Sequence, residues 1–326
     1  MLFLANNLSR MVDDTELGTR IVEVHNGSSL FTGNAGSGAS NLRQYIIEND
    51  MLEAIIAMPE NDFYNTGIGT YIWIVTNRKE ERRKGYVQLI DATDIKSPLR
   101  KNLGKKNCET NEADRGEIVK MLLDFKETKT SKIFPNKEFG YYSVTVERPL
   151  RLVYENLDSI VLPDLKNKDD VELLQRVVAA WKENLGGHTV GDFALFLMLE
   201  QMKVKVPASK VKLVRQYLGK HDDKADVCFT KPTNRDSAIV TDPSLRDTEQ
   251  VPLLYPGGID AFMKKEVLPY APDAFYYADD VIVGYELSFT KYFYKPVELR
   301  SIADITTDIN GIEGRLKGVL KDILNV

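Results

Sequence analysis

Apolar residues in the first quarter of the chain fall into short runs separated by glycine, asparagine and acidic residues. Residues 52–58 (LEAIIAM), stopped by Pro59, and 70–76 (TYIWIVT) read as buried strands, and 19–25 (TRIVEVH), following Gly18, as a third. Between the first and second strands, Leu42, Ile46 and Met51 recur near helical spacing, which predicts a helix over 41–50 capped by Ser40 or Asn41. Leu2, Phe3, Leu4, Leu8 and Met11 read as the interior of an earlier helix. The order helix, strand, helix, strand, strand predicts an α/β fold, but too few strands for a parallel-type sheet, which is normally covered on both faces. The strand at 19–25 then exposes an unpaired edge, which another chain or earlier residues of a longer protein would complete.

From about Leu152 the texture becomes helical. Residues 169–185 place Val171, Leu174, Val178 and Trp181 on one side, 192–204 are apolar around Phe193, Phe196 and Leu199, and 206–218 form a shorter basic candidate helix. Residues 222–247 are polar and predict loops, with weak strand potential at 226–230. At the end, Ile302, Ile305, Ile309, Ile312, Leu316, Val319 and Ile323 alternate three- and four-residue spacings, the seam of a coiled coil. Ser301 and Asp304 stand in capping-box positions. Gly311, Gly314 and Gly318 each weaken that helix by roughly 1 kcal/mol relative to alanine, so it needs packing to persist, either within the chain or on a partner. These textures divide the chain at 1–85, 86–151, 152–250 and 251–326.

Composition narrows the function classes. The net charge of −5 argues against a chain that grips DNA over its whole surface, since phosphates are met by lysine and arginine. Cys108 and Cys228 are far apart, and His25, His188 and His221 are isolated, so no metal site or disulfide framework follows and a reducing cytoplasm is the natural compartment. No run approaches the ~20 apolar residues of a membrane span. The segment 33–40 (GNAGSGAS) nearly fits a phosphate loop, but Ala39 stands where that chemistry needs a lysine, and residues 30–32 separate it from the strand.

Read together, several blocks resemble the methylation subunit of type I restriction–modification enzymes. They are 26–33 (NGSSLFTG), 35–38 (AGSG), 46–50 (IIEND), 52–56 (LEAII), 63–68 (FYNTGI), 70–73 (TYIW), 76–79 (TNRK), 90–93 (IDAT), 139–141 (FGY) and 145–151 (TVERPLR). The similarity returns at 247–253 (DTEQVPL), 266–269 (EVLP), 273–275 (DAF), 284–286 (GYE) and 289–294 (FTKYFY). The resemblance implies the distal half of a Rossmann-like class I methyltransferase sheet followed by a mainly α-helical C-terminal region. It also implies N6-methylation of a flipped-out DNA adenine with S-adenosylmethionine as the cofactor of the complete subunit. The Gly-rich cofactor turn and the Asn-Pro-Pro-aromatic loop of that family are absent, so no catalytic residue is assigned in this chain, and no cofactor is expected to bind it alone.

What remains is a binding wall and assembly surfaces. Phe63, Tyr64, Asn65 and Thr66 are candidates for one wall of the adenine pocket; the alternative is that the aromatics cap the core and the rest makes a turn. Arg78, Arg82, Arg83 and Lys84 open a basic stretch running to Lys106 and are candidates for DNA phosphates, against a solvated turn broken by Glu80 and Glu81. The implied partners are the DNA-specificity subunit, docked on the terminal helix, a second methylation subunit, the restriction subunit, and DNA through the complex. Two other readings stand beside this one: a non-catalytic protein docking on the specificity subunit, and one half of a split methyltransferase.

Overall fold

A computed structural model of the chain describes residues 1–160, 165–186, 188–294 and 300–324. Helix α1 (Leu2–Leu8) leads into strand β1 (Arg20–Asn26), a single turn α2 (Ser28–Phe31), helix α3 (Gly38–Glu48) and strands β2 (Leu52–Met58) and β3 (Thr70–Thr76). Strand β4 (Tyr86–Asp91) follows, then a hairpin of β5 (Ser97–Leu103) and β6 (Lys106–Glu109), helix α4 (Glu112–Asp124) and strands β7 (Ser131–Pro135) and β8 (Gly140–Val146).

Five of these strands form one sheet in the order β1-β3-β2-β4-β7. The sheet is mixed: β1/β3, β2/β3 and β4/β7 are antiparallel, and only β2/β4 run parallel among the described strands of this sheet. The strand expected at 19–25 does lie at a margin, hydrogen-bonded to β3 alone among the described strands. Strands β4 and β7 continue the sheet past residue 85.

Why this sheet holds is visible in its alternation. A bulge places Glu53 as the extra residue of β2, so Leu52, Ile55 and Ala57 face one side and Ala54, Ile56 and Met58 the other. Trp73 and Val75 of β3 join the first side, which α1 covers with Leu4 and α3 with Ile46 and Ile47. Ile74 and Ile90 join the second side, which Ile118 of α4 covers. The buried Glu53 carboxylate is met by Arg20 (2.9 Å) and Arg83 (3.5 Å), so the bulge residue does not leave a buried charge alone.

Helix α3 starts three residues before the expected 41–50. Ser37, not Ser40 or Asn41, is its N-cap. Ser40 is fully buried, and its hydroxyl accepts the Tyr285 N–H (3.2 Å), a partner 245 residues away.

The second region packs strand β9 (Leu152–Tyr154), helix α5 (Lys168–Leu185), strand β10 (Val190–Gly191), helices α6 (Asp192–Gln201) and α7 (Val211–Leu218) and strand β11 (Lys220–His221) around their own core. The buried face of α5 is Leu173, Leu174, Val177, Ala180 and Trp181, rotated from the expected one, with Val171 and Val178 half-buried at its border. At the centre, Asp192 pairs with Arg215 through both guanidinium branches (3.0 and 2.5 Å) and accepts the Tyr154 hydroxyl (2.8 Å). Burial, with the Asp192 charge beside it, pushes the Cys228 thiol up to about 12, so this cysteine is an inert apolar filler. Residues 226–230 form only isolated bridges, Val227 to Arg151 and Phe229 to Ile239.

The rest of the chain adds two strands to its helices. Strand β12 (Asp247–Pro252), helix α8 (Gly258–Phe262), strand β13 (Ile282–Tyr285), helix α9 (Phe289–Phe293) and helix α10 (Ile302–Leu324) follow in order. β12 and β13 flank β8 in a second antiparallel sheet. Tyr285, Leu287 and Phe289 enter the core of the first region, so the late chain seals the early one.

The Arg43 guanidinium, fully buried on α3, ties this closure: it donates to the carbonyls of Tyr285 (2.6 Å), Ser29 (3.1 Å) and Thr32 (3.0 Å). Burial holds its pKa below the ordinary arginine value, against the pull of Tyr141 and Glu286.

Helix α10 begins as expected, with the Asp304 N–H bonded to Ser301 Oγ (3.1 Å). Its seam residues Ile302, Ile305, Ile309, Ile312 and Leu316 are all exposed, from 43% to 84%. Packing within the chain is therefore not what covers them. The side chains of Val319 and Ile323, the last two seam positions, lie outside the described residues. Among the described residues, no helix is long and apolar enough to cross a membrane.

Candidate functional site

The strands β2 and β3 are joined by the loop 59–69, and its turn 63–66 stands at the rim of a cleft of about 700 Å³. Val22 of β1, Ile56, Ile72 and Ile74 form the cleft floor, and Ile118 and Leu122 of α4 form a wall. The Thr66 N–H donates to the Phe63 carbonyl (3.1 Å), and Asn65 takes φ 54°, so 63–66 is a tight turn whose left-handed position asparagine tolerates. The aromatics do not cap the core: Phe63 is 37% exposed and Tyr64 69%, presenting ring surface at the cleft mouth. All four expected wall residues thus fall in one turn, with Phe63 and Tyr64 on the cleft and Asn65 and Thr66 shaping it.

Asp62, which sequence reasoning passed over, fixes this turn. Its carboxylate is buried and accepts Thr110 N–H (3.1 Å) and Thr110 Oγ1–H (2.7 Å), and Lys106 Nζ lies 3.3 Å away. The loop is thereby joined to the β5–β6 hairpin and the start of α4. The signal available in sequence was one acid beside two aromatics, and its partners lie 44 and 48 residues on.

The four expected phosphate contacts are largely occupied. Arg78 donates to the Asp13 (2.9 Å) and Glu16 (3.4 Å) carbonyls, Arg82 to Glu80 (2.7 Å) and the Leu123 carbonyl (2.7 Å), and Lys84 to Glu81 (2.5 Å). Arg83 leaves the set outright. It is 1% exposed, bonds Gln88 (3.1 Å) and the Leu122 carbonyl, and sits 4.4 Å over the Phe125 ring.

The glycine-rich segment borders β13 and is otherwise open, with Gly36 and Gly38 exposed. Gly33 and Gly36 take φ 97° and 79°, and a methyl placed on Gly36 would already touch Ile282 of β13 at 3.4 Å.

An open apolar cleft with exposed aromatics at its mouth, on a mixed sheet, suits an enzyme-like binding wall for a flat ligand. Residues 8–148 match the family model described as N-6 DNA Methylase. Over part of its length the chain is also similar to methylase subunits of type I restriction enzymes. It is 28% identical over 141 residues to the MjaVIII type I restriction enzyme methylase subunit of Methanocaldococcus jannaschii, covering 42% of this chain and 22% of that one. To the MjaIX methylase subunit of the same organism it is 31% identical over 90 residues, 28% of this chain and 15% of that one. The chain thus spans less than a quarter of the length of these relatives. A solved type I methyltransferase subunit from Streptococcus thermophilus superposes with a TM-score of 0.32 at 22% identity, over 37% of this chain and 24% of that one.

Proposed function

We propose that this chain is the C-terminal part of the adenine-N6 methylation subunit of a type I restriction–modification system, and that it does not methylate DNA by itself. The observation that carries this reading is the margin of the main sheet. β1 has a partner on one side only among the described strands, and its Val22 and Val24 are 60% and 50% exposed, beside an apolar cleft. Such an edge is a template for further strands. On this reading they are the proximal half of a Rossmann-like class I sheet, while residues 152–326 form the partner-facing region. The split-enzyme reading differs only in which polypeptide brings those strands.

In the complete subunit the Phe63–Tyr64 turn forms one wall of the flipped-adenine pocket, since an extruded base is held by stacking on aromatic faces. On this reading S-adenosylmethionine is held by the rest of the complete subunit: the open glycine-rich segment 33–40 has Ala39 where a phosphate loop has its lysine, and no group in this chain is assigned to the cofactor. Helix α10 docks on the specificity subunit, and through that complex come DNA, a second methylation subunit and the restriction subunit.

The test of the pocket is Phe63→Ala in the complete subunit with its specificity partner. Losing a stacking face costs about 1–3 kcal/mol per base, so methylation efficiency should fall roughly 5- to 150-fold while the melting temperature holds. Unchanged methylation by a folded variant would remove Phe63 from the pocket.

A further inference from the structure

Residues 96–108 carry five cations (Lys96, Arg100, Lys101, Lys105 and Lys106) and no carboxylate, in a chain whose net charge is −5. They form the β5–β6 hairpin, which pairs with no other described strand. Its base is anchored: the Asn107 N–H donates to the Asn61 carbonyl (3.3 Å), Cys108 is buried, and Ser97 Oγ donates to Asp114 (3.0 Å) at the capped start of α4. Its outer part is not. Between the pairs Pro98/Cys108 and Leu103/Lys106, four residues of β5 oppose one of β6, so Arg100 and Lys101 sit on a bulge. Arg100, Lys101 and Lys105 are exposed and make no hydrogen bond or ion pair among the described residues. The contrast with Arg78, Arg82, Arg83 and Lys84, each already holding a carbonyl or a carboxylate, is direct.

The hairpin tip also touches the aromatic turn. Gly104 turns the chain at φ 60°, and a methyl there would overlap Asn65 Oδ1 and reach Tyr64 Cε2 at 3.5 Å. Free cations beside exposed aromatic faces are the combination that nucleic acids use, phosphates on the charges and bases on the rings. A membrane surface would use the charges but not the rings.

We propose that the β5–β6 hairpin is a DNA-phosphate clamp, with Arg100, Lys101 and Lys105 as the contacting groups, holding the strand whose base meets Phe63 and Tyr64. This assignment rests on the methyltransferase reading above for the identity of the nucleic acid.

The experiment uses the full chain and a fluorescent DNA duplex, with binding followed by anisotropy across a salt series. Wild type binds at low salt. Arg100→Glu, Lys101→Glu and Lys105→Glu together weaken binding at least tenfold and flatten the log–log salt slope by about 2.7, three contacts at roughly 0.9 each. Arg82→Glu with Lys84→Glu leaves both unchanged. The triple variant should melt like wild type, because none of the three groups makes a hydrogen bond or ion pair among the described residues. Absence of DNA binding by wild type, or equal affinity and slope in a folded triple variant, would overturn the proposal. So would hairpin-dependent binding to phosphatidylserine vesicles with none to DNA. Hairpin-dependent DNA binding together with a methylation-inert complete subunit would instead count against the enzymatic reading and leave the clamp standing.

Discussion

Replacing Arg43 with leucine is expected to lower the stability of the first region by about 3–5 kcal/mol, the range for removing one partner of a buried charged contact. The side chain is fully buried on α3 and spends all three of its hydrogen-bonding nitrogens on backbone carbonyls of Ser29, Thr32 and Tyr285. Leucine leaves those three acceptors without that donor, at about 1–3 kcal/mol each, partly offset by no longer burying a charge. The loss is large against a typical domain stability of about 5–15 kcal/mol. Arg43→Lys should recover only part of it, because an ammonium is a point donor whereas the planar guanidinium reaches three carbonyls on two separate segments. Urea titration followed by tryptophan fluorescence reads this at Trp73, which lies in the same core. An Arg43→Leu variant with the wild-type midpoint would show that the carbonyls find other donors and that Arg43 does not lock the late chain onto the early one.

The second large effect concerns α10. Deleting residues 301–326 should abolish capture of the specificity subunit, a loss of roughly 100-fold or more, without moving the melting temperature. The five described seam residues are exposed, and burying each fully is worth roughly 1.5–3 kcal/mol, enough to carry a stable helix pairing. Gly311 and Gly314 have nothing within 4 Å, so the helix gains no packing at those points to offset their low helical propensity. On the docking reading a partner supplies it. Undiminished capture of the specificity subunit by the truncated chain would overturn the docking assignment.

The legible parts of this fold were those whose signal is local. Residues 52–58 and 70–76 are predominantly apolar because both faces of the central strands are covered, and their bounds match β2 and β3. The α10 cap was legible because Ser301 and Asp304 are three residues apart. What escaped depends on distant partners. Strand direction in the main sheet is not written in the runs themselves. Ser40 reads as a cap until Tyr285 arrives to bury it, and the true cap, Ser37, is one more polar residue in a glycine-rich stretch. The α5 face was misplaced by weighting the valines over Leu173 and Ala180, which the neighbouring helices bury.

The site divides the same way. The aromatic turn was legible as a loop between two strands. In the basic run, sequence shows charge but not occupancy: Arg83 is buried against Gln88 and Glu53 on neighbouring strands, while Arg100, Lys101 and Lys105 make no hydrogen bond or ion pair among the described residues. Asp62 carried no sequence signal beyond its charge, and its role exists only where the hairpin folds back upon it.

The central claim is that this chain carries an assembly surface and one wall of the base pocket but not the cofactor chemistry. Calorimetric titration of S-adenosylmethionine into the folded chain tests it most directly, with folding checked by circular dichroism in the same buffer. The account predicts no heat beyond dilution. A tight one-to-one complex would contradict it and place the cofactor site within these residues.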